Sequence, residues 1–557
     1  MSLPFDTKLE EERLKRARES EEEDVARILS EKYRIAYTDL SIQNVDSDAL
    51  RLISEDVAKK TEAIAFSKKM KNVSLAVLNP NNPNLPELVR SLEDRGYHVS
   101  KFLVSKKSLE HALSRYSELS FATESKVGLF DVSEKELQHM TKDLGDLQSI
   151  RDFLKKSTEG SNVANVSRLL EYILASAFSV HASDIHLEPE KGRIRLRFRI
   201  DGMLTDIMFF DSKLYRLVDS RIKMLSGLKL NIHNRAQDGR FSVMLHGTEV
   251  EIRTSLIPNS YGESFVMRVL DPSATKVSFE TLGIHPKLFA RLEKEIKRPN
   301  GMLLTTGPTG SGKTTTLYSF LRKVQSPDIK IITIEDPVEY HLDGIVQTQI
   351  EGKDYTFASG LRSIVRQDPD IIMVGEIRDH ETASIAIQAA LTGHFVFSTL
   401  HTNNAAGTFP RFADLGIDPK EFASAITVSM AQRLVRKLKP DQRKQVTMND
   451  EQKRLVEKIL STIEDKSLLP ESTDKIWIPE NVSDTDNGYH GRVGLYEAVF
   501  MDDELGSFLR DSPSESDIAK KALSQGYLTM AQDGILKAIS GDTSLDEVLR
   551  VVDVSRV

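Results

Sequence analysis

Gly301-Met-Leu-Leu-Thr-Thr-Gly-Pro-Thr-Gly-Ser-Gly-Lys-Thr-Thr-Thr-Leu-Tyr-Ser-Phe-Leu-Arg322 decides the fold. A short apolar run leads into a glycine-rich turn, and a helix-forming stretch follows. Gly307-Pro-Thr-Gly-Ser-Gly-Lys-Thr314 matches G-x-x-x-x-G-K-[ST] in full, with strand and helix where a phosphate-binding loop needs them. Glycines let the backbone wrap closely enough for N–H groups to point at phosphate oxygens, and the helix N-terminus adds positive potential. The expected nucleotide-binding set is Gly307, Pro308, Thr309, Gly310, Ser311, Gly312, Lys313, Thr314 and Thr315. Lys313 neutralises the β/γ-phosphates in this reading, and Thr314 ligands Mg²⁺.

Apolar strands alternate with helices downstream: Met302 to Thr306, Ile331 to Ile334, Ile371 to Val374 and Phe395 to Leu400. That order predicts an α/β fold with a parallel sheet. A phosphate loop needs an acid at the end of a neighbouring strand to hold metal and orient water. Glu335, Asp336 and Glu339 follow one strand, and Glu376 follows another behind Gly375. Arginine neutralises charge as the γ-phosphate leaves. Arg362 and Arg366 are four apart on one predicted helix face, Arg378 lies two beyond Glu376, and Arg240, Arg253 and Arg268 fall in upstream strands. His394 and His401 are seven apart across a strand, which suits no helical metal pair. They are expected near the phosphates, where a histidine senses the γ-phosphate, or packed in the sheet.

Arg193-Ile-Arg-Leu-Arg-Phe-Arg-Ile200 alternates strictly, so period two places four arginines on one sheet face, which needs an anion or solvent. Further strands are expected at about 240 to 246, 249 to 256 and 263 to 270. The predicted division is a charged arm (1–23), a first α/β domain (24–116), a linker (117–160) and a second, β-rich domain (161–270). A hinge (271–279), the phosphate-loop core (280–438), a polar insert (439–490) and a C-terminal helical region (491–557) complete it.

Composition narrows the function. The 557 residues are 39% hydrophobic and 28% charged, which excludes a fibrous or wholly disordered chain. Lys+Arg is 75 against Asp+Glu 83, and the net charge of -8 gives no global field for nucleic acid. With no cysteine there is no disulfide framework, thiol nucleophile or Cys-ligated zinc. The first residues lack the apolar region of a secretory signal, and no run approaches a membrane span. A cytoplasmic location is expected.

Four boxes then stand together: Gly307-Pro-Thr-Gly-Ser-Gly-Lys-Thr-Thr-Thr316, Ile334-Glu-Asp-Pro-Val-Glu-Tyr340, Arg366-Gln-Asp-Pro-Asp-Ile-Ile-Met-Val-Gly-Glu-Ile-Arg-Asp379 and Thr392-Gly-His-Phe-Val-Phe-Ser-Thr-Leu-His-Thr-Asn403. Their succession resembles the Walker A, Asp box, atypical Walker B and His box of the secretion ATPase superfamily, the motors of type II secretion and type IV pilus assembly. Ala182-Ser-Asp-Ile-His-Leu-Glu-Pro189, Phe198-Arg-Ile-Asp-Gly-Met-Leu204, Ala236-Gln-Asp-Gly-Arg240, Glu251-Ile-Arg-Thr-Ser255, Gln432-Arg-Leu-Val-Arg436, Gly491-Arg-Val-Gly-Leu-Tyr-Glu497 and Met530-Ala-Gln-Asp-Gly534 extend it over about 155 to 557.

The resemblance implies a RecA-like ATPase core, a PAS-like α+β domain before it and a small N-terminal α/β domain. It implies a homohexamer hydrolysing ATP with Mg²⁺, bound between the core and the arginine-bearing domain. Domain rotation would be passed to an inner-membrane platform protein, through which the motor associates peripherally with that membrane. Thr314 and Glu376 would serve the metal, Glu376 and Glu335 the water, with the base left open between them. Arg240, Arg253, Arg362, Arg366 and Arg378 would face phosphate, and His401 would lie in the nucleotide site. The chain departs from the family where a four-cysteine zinc knuckle commonly follows Gln432-Arg-Leu-Val-Arg436. No zinc is expected, and its structural job passes to ordinary packing around Trp477. The N-terminus shows no clear cyclic-di-GMP box. The retraction motors' C-terminal helix motif is absent, which favours extension or secretion. Two other readings are a nucleic-acid translocating RecA-like motor, using the arginine strand on a phosphate backbone, and a scaffold that binds ATP without turnover. Net charge and the lack of an aromatic groove weigh against nucleic acid as a partner.

Overall fold

The computed structural model describes residues 22–554 apart from 41–42, 44, 51, 70, 119–121, 127–128, 133–145, 159–164, 246–247, 271–276 and 353. Most of the expected charged arm, much of the 117–160 linker and most of the 271–279 hinge lie outside the described residues. Two units form, one running up to Thr123 and taking in Ser157–Glu171, the other made of Glu124–Lys156 and Tyr172–Val557. In the first, a helix at 22–33 precedes β1 (Ala36–Tyr37), β2 (Ala63–Lys69), β3 (Asn72–Val77) and β4 (His98–Leu103). Their order is β1-β4-β3-β2, with only β2 antiparallel to its neighbour. Val73, Leu75, Ala76 and Val77 of β3 are all buried, as a strand covered on both faces requires. The expected turn at Asn79 to Pro83 separates β3 from the helix Leu85–Asp94, which buries Leu85, Leu88 and Leu92 at helical spacing.

The second unit holds two large sheets. One contains β5 (Ala122–Lys126, of which the last three residues belong to this unit), β6 (Leu129–Val132), β7 (Asp184–Glu190), β8 (Arg193–Ile200), β9 (Met203–Phe210), β10 (Gln237–Leu245), β11 (Thr248–Asn259) and β12 (Gly262–Leu270) in the order β5-β6-β10-β11-β12-β7-β8-β9. Strand β8 buries Ile194, Leu196 and Phe198 on one face and leaves its arginines half-exposed on the other. The anions that face needs come from the adjoining strands. Arg195 grips Asp206 with two bonds of 2.7 and 2.8 Å, Arg197 pairs with Glu188 at 2.5 Å, Arg199 with Asp184 at 3.3 Å and Arg193 with Glu190 at 2.9 Å. Solvent screening leaves each exposed pair worth little alone, but together they neutralise the strand's charge internally. A phosphate backbone has no unpaired arginine row to meet here.

The other sheet consists of β13 (Gly301–Thr306), β14 (Ile331–Glu335), β15 (Val346–Gln349), β16 (Ile371–Val374), β17 (Phe395–Leu400), β18 (Ile426–Leu438) and, after β19 (Arg443–Thr447) and β20 (Lys475–Pro479), β21 (Tyr489–Phe500). The order is β15-β14-β16-β17-β13-β18-β21, parallel except for β21. Alternation assigns every central side chain to one of two cores. Met302, Leu304, Ile332, Ile334, Ile372, Val374, Val396 and Leu400 pack on one face, while Leu303, Ile331, Ile371, Met373, Phe395 and Phe397 pack on the other. Burial on both sides explains why these strands read as unbroken apolar runs. No helix among the described residues is long and apolar enough to cross a membrane.

The region expected to be helical from 491 onward opens instead with β21, which pairs antiparallel with β18 from Val428↔Phe500 to Leu438↔Tyr489. Tyr496, Ala498 and Phe500 face one core, and Leu495 and Val499 turn away from it, so a period of two governs the segment. The helices Asp503–Leu509, Glu515–Leu523, Met530–Ser540 and Leu545–Val551 follow. The cysteine-free insert is built on hydrocarbon: Met448, Val456, Ile459, Leu460, Ile463 and Ile476 bury against Leu495, Ala531, Ile535 and Val548. Trp477 is not the centre of this packing. Its ring is half-buried, with the Arg443 guanidinium 4.6 Å from its centroid and Gly541 against its edge. An indole wants its N–H wet, so branched aliphatics take the interior. Ile459→Ala, at a fully buried site, is expected to destabilise the phosphate-loop core by about 2 to 5 kcal/mol. Denaturant titration followed by far-UV circular dichroism checks this. An unmoved midpoint would make the insert an independent flap.

Candidate functional site

Parallel strands gather their ligands at their carboxyl ends. Thr306, Glu335, Val374 and Leu400 close β13, β14, β16 and β17 there, and each leads into one of the four boxes. After Thr306 the loop turns on Gly307, where a Cβ would come 2.7 Å from both Gln432 O and Ser311 Oγ. Gly312, at φ 89°, leads the helix Lys313–Val324 with no side-chain cap, so the amides of the first turn keep their donors free of side-chain acceptors. Ser311 Oγ is buried without a hydrogen-bond partner among the described residues. Open first-turn amides, an unpartnered buried hydroxyl and glycines that only a Cβ-free backbone satisfies form a cradle that fits a triphosphate.

Lys313 Nζ donates to Gly307 O at 2.8 Å and Pro308 O at 3.2 Å. Burial pushes its ammonium down to about 8, the Glu376 carboxylate pulls it back up, and Arg433 pushes it down further. Glu376, mostly buried, forms an ion pair with Arg378 and lies 3.3 Å from His401 Nε2. The structure thus gathers Lys313, Glu376, Arg378 and His401 at one sheet edge. His394 sits at the opposite end of β17, its Nδ1 3.1 Å from Ala389 O.

Glu335 differs sharply from Glu376. It is 2% exposed, and its oxygens accept from the Tyr318 hydroxyl, from Thr333 Oγ1 at 2.5 Å and from Gln347 Nε2 at 3.2 Å. Burial pushes its carboxyl up, and those hydrogen bonds oppose the shift. No arginine or lysine pairs with it among the described residues.

Of the arginines in the second domain, Arg253 reaches the core: Nη2 donates to Val338 O at 2.6 Å, and Nη1 is 3.6 Å from Glu339. It lines a cleft of about 590 Å³ with Arg240, Arg268, Pro337 and Gln349. The Arg240 side chain is 72% exposed and lies 3.8 Å from Glu251, while Arg268 pairs with Asp184 at 3.1 Å. Arg362 pairs with Glu381, and Arg366 donates to Ser363 Oγ at 3.3 Å. Among the described residues neither touches Lys313, Glu376 or Glu335.

Sequence reasoning gave no role to Gln432 and Arg433. Thr306 pairs with Ala431 across β13 and β18, which sets these two side by side with the phosphate loop. Gln432 Nε2 donates to Ser311 O at 2.6 Å, and Arg433 donates to Gln432 O at 3.0 Å and Asn403 O at 2.8 Å. The signal was present in Gln432-Arg-Leu-Val-Arg436, where charge interrupts a long apolar strand, but the pairing that gives it meaning is tertiary.

A parallel sheet with the phosphate loop after β13 and acids at the ends of β14 and β16, with β17 between, defines a RecA-like P-loop ATPase. The chain belongs to the Type II/IV secretion system protein family, which it matches over residues 159–550, and it matches the MshEN domain over 33–155. It is similar to the type IV pilus assembly ATPase PilB of Myxococcus xanthus, with 36% identity over 535 residues, 95% of this chain and 91% of that protein. It is 39% identical over 426 residues to the type II secretion system protein E of Klebsiella pneumoniae, 75% of this chain and 83% of that one. The X-ray structure of the Legionella pneumophila ATPase DotB superposes with a TM-score of 0.50 at 23% identity, covering 69% of this chain and 95% of its own, a likeness of fold alone.

Proposed function

We propose that this ATPase is the motor of a type IV pilus or type II secretion pseudopilus, working as a homohexamer in the cytoplasm against an inner-membrane platform protein. The observation that carries the reading is the gathering of Lys313, Glu376, Arg378 and His401 at one sheet edge, with Arg253 joining the second domain to the loop after Glu335. ATP would lie on Gly307 to Thr315, and Thr314 and Glu376 would hold Mg²⁺. The metal supplies charge neutralisation at the transferring phosphoryl group. Glu376 is the better base, being partly accessible beside Lys313, while Glu335 keeps the strand end ordered. Arg362 and Arg366, exposed and away from Lys313, suit the nucleotide of a neighbouring ring member. The domains proposed are those of the sequence reading, with β21 added to the core.

The internally paired arginine strand leaves the nucleic-acid motor without support. Single-stranded DNA is expected not to stimulate phosphate release, and stimulation would restore that reading. Co-purification of the motor with the cytoplasmic part of a pilus platform protein tests the main reading, and no association under conditions where the motor turns over ATP would overturn it. Arg240→Ala is expected to keep nucleotide binding and to lower kcat by about 10³-fold, the low end for an arginine that neutralises transferring phosphate. Unchanged turnover would remove the second domain from the catalytic site.

A further inference from the structure

The loop after β17 carries His401, and the bonds that pin residues 402 to 405 just beyond it include three to separate anchors. Thr402 N–H donates to Thr306 Oγ1 at 2.8 Å, Asn403 O accepts from Arg433 at 2.8 Å, and Ala405 N–H donates to Glu497 at 2.8 Å. The first and third anchors are a β13 hydroxyl and a part-buried carboxylate that also accepts from Met530 N–H at 3.0 Å. The middle anchor differs because Arg433, on β18, also abuts the phosphate loop. Its Nη1 lies 3.0 Å from where a Gly307 Cβ would sit, and its neighbour Gln432 bonds the loop backbone at Ser311. Its guanidinium is half-buried and reaches two backbone carbonyls, with no carboxylate in ion-pair range among the described residues. The Glu497 carboxylate, beyond ion-pair range, offsets part of that cation's burial cost.

We infer that Arg433, set by Gln432, is a positioning residue for hydrolysis: it ties the phosphate loop to the loop bearing His401 and so fixes His401 against Glu376. Arginine suits the task because a planar fork spans two carbonyls at once, which an ammonium cannot do. The brace is one connection through which a change at Gly307 to Gly312 reaches the acid at Glu376.

A double-mutant cycle on the purified full-length protein tests this. Arg433→Gln, His401→Ala and the double variant are compared for phosphate release, affinity for a fluorescent ATP analogue and thermal unfolding. Arg433→Gln is expected to lower kcat by about 10- to 100-fold while nucleotide affinity changes little, as a displaced catalytic group does. If both residues act through one geometry, the double variant loses about as much as the worse single variant rather than the product. Multiplying losses, or a kcat for Arg433→Gln close to the parent's, would overturn the inference. Should Arg433→Gln fail to fold, Arg433→Lys takes its place in the cycle under the same criterion, since it keeps the charge and gives up the fork.

Discussion

Lys313→Ala is expected to reduce phosphate release by at least about 10²- to 10³-fold, the scale of losing one preorganised charge donor at a developing oxyanion. The alanine removes the only side-chain ammonium that bonds the loop carbonyls of Gly307 and Pro308 among the described residues. Phosphate release and nucleotide affinity measured side by side check this. Parent-like turnover would detach the loop from the chemistry. A second readout comes from the depressed value of about 8 at Lys313. Burial disfavours the charged form, and a bound polyphosphate restores it. Nucleotide binding should therefore take up protons between about pH 8 and 10 and none well below pH 8, where the ammonium is already charged. Calorimetry in buffers of different ionisation enthalpy measures that uptake, and Lys313→Ala should abolish it.

Glu376→Gln should bind nucleotide as the parent does and lose turnover by about 10² to 10⁴, as removal of a general base does. The same change at Glu335 should act differently. Its carboxyl accepts from Tyr318, Thr333 and Gln347 in a dry site, so an amide there places one N–H₂ against a donor and costs about 1 to 3 kcal/mol of stability. Turnover by the folded Glu335→Gln protein should fall far less than that of Glu376→Gln. The reverse order would exchange the two assignments.

Sequence legibility tracked how local each feature is. The loop at 307 to 314 announced itself because a strand, three glycines, a lysine and a helix must occur in fixed succession. The alternation of 193 to 200 was equally plain, since one glance at period two separates its faces. The anions meeting that face were not plain: Asp184, Glu188, Glu190 and Asp206 come from two neighbouring strands, and only the register pairs them. Strand β21 was missed because its glycines and charges hide the alternation that β18 rewards with a long ladder. Gln432 and Arg433 show the same limit within the site, for they gain meaning only when β18 lies beside β13. Glu335 and Glu376 read alike in sequence as acids at strand ends. Burial and partners separate them: Tyr318, Thr333 and Gln347 surround Glu335, while Arg378 and His401 meet Glu376.

The hydrocarbon interior that joins residues 448 to 476 to the last helices has a physiological corollary. That interior is made by aliphatic packing rather than by cysteine ligands, and the sequence offers no thiol for peroxide or electrophiles to attack. An ATPase folded this way would not lose its insert to zinc starvation or thiol oxidation, conditions that would strip a thiolate-bound knuckle.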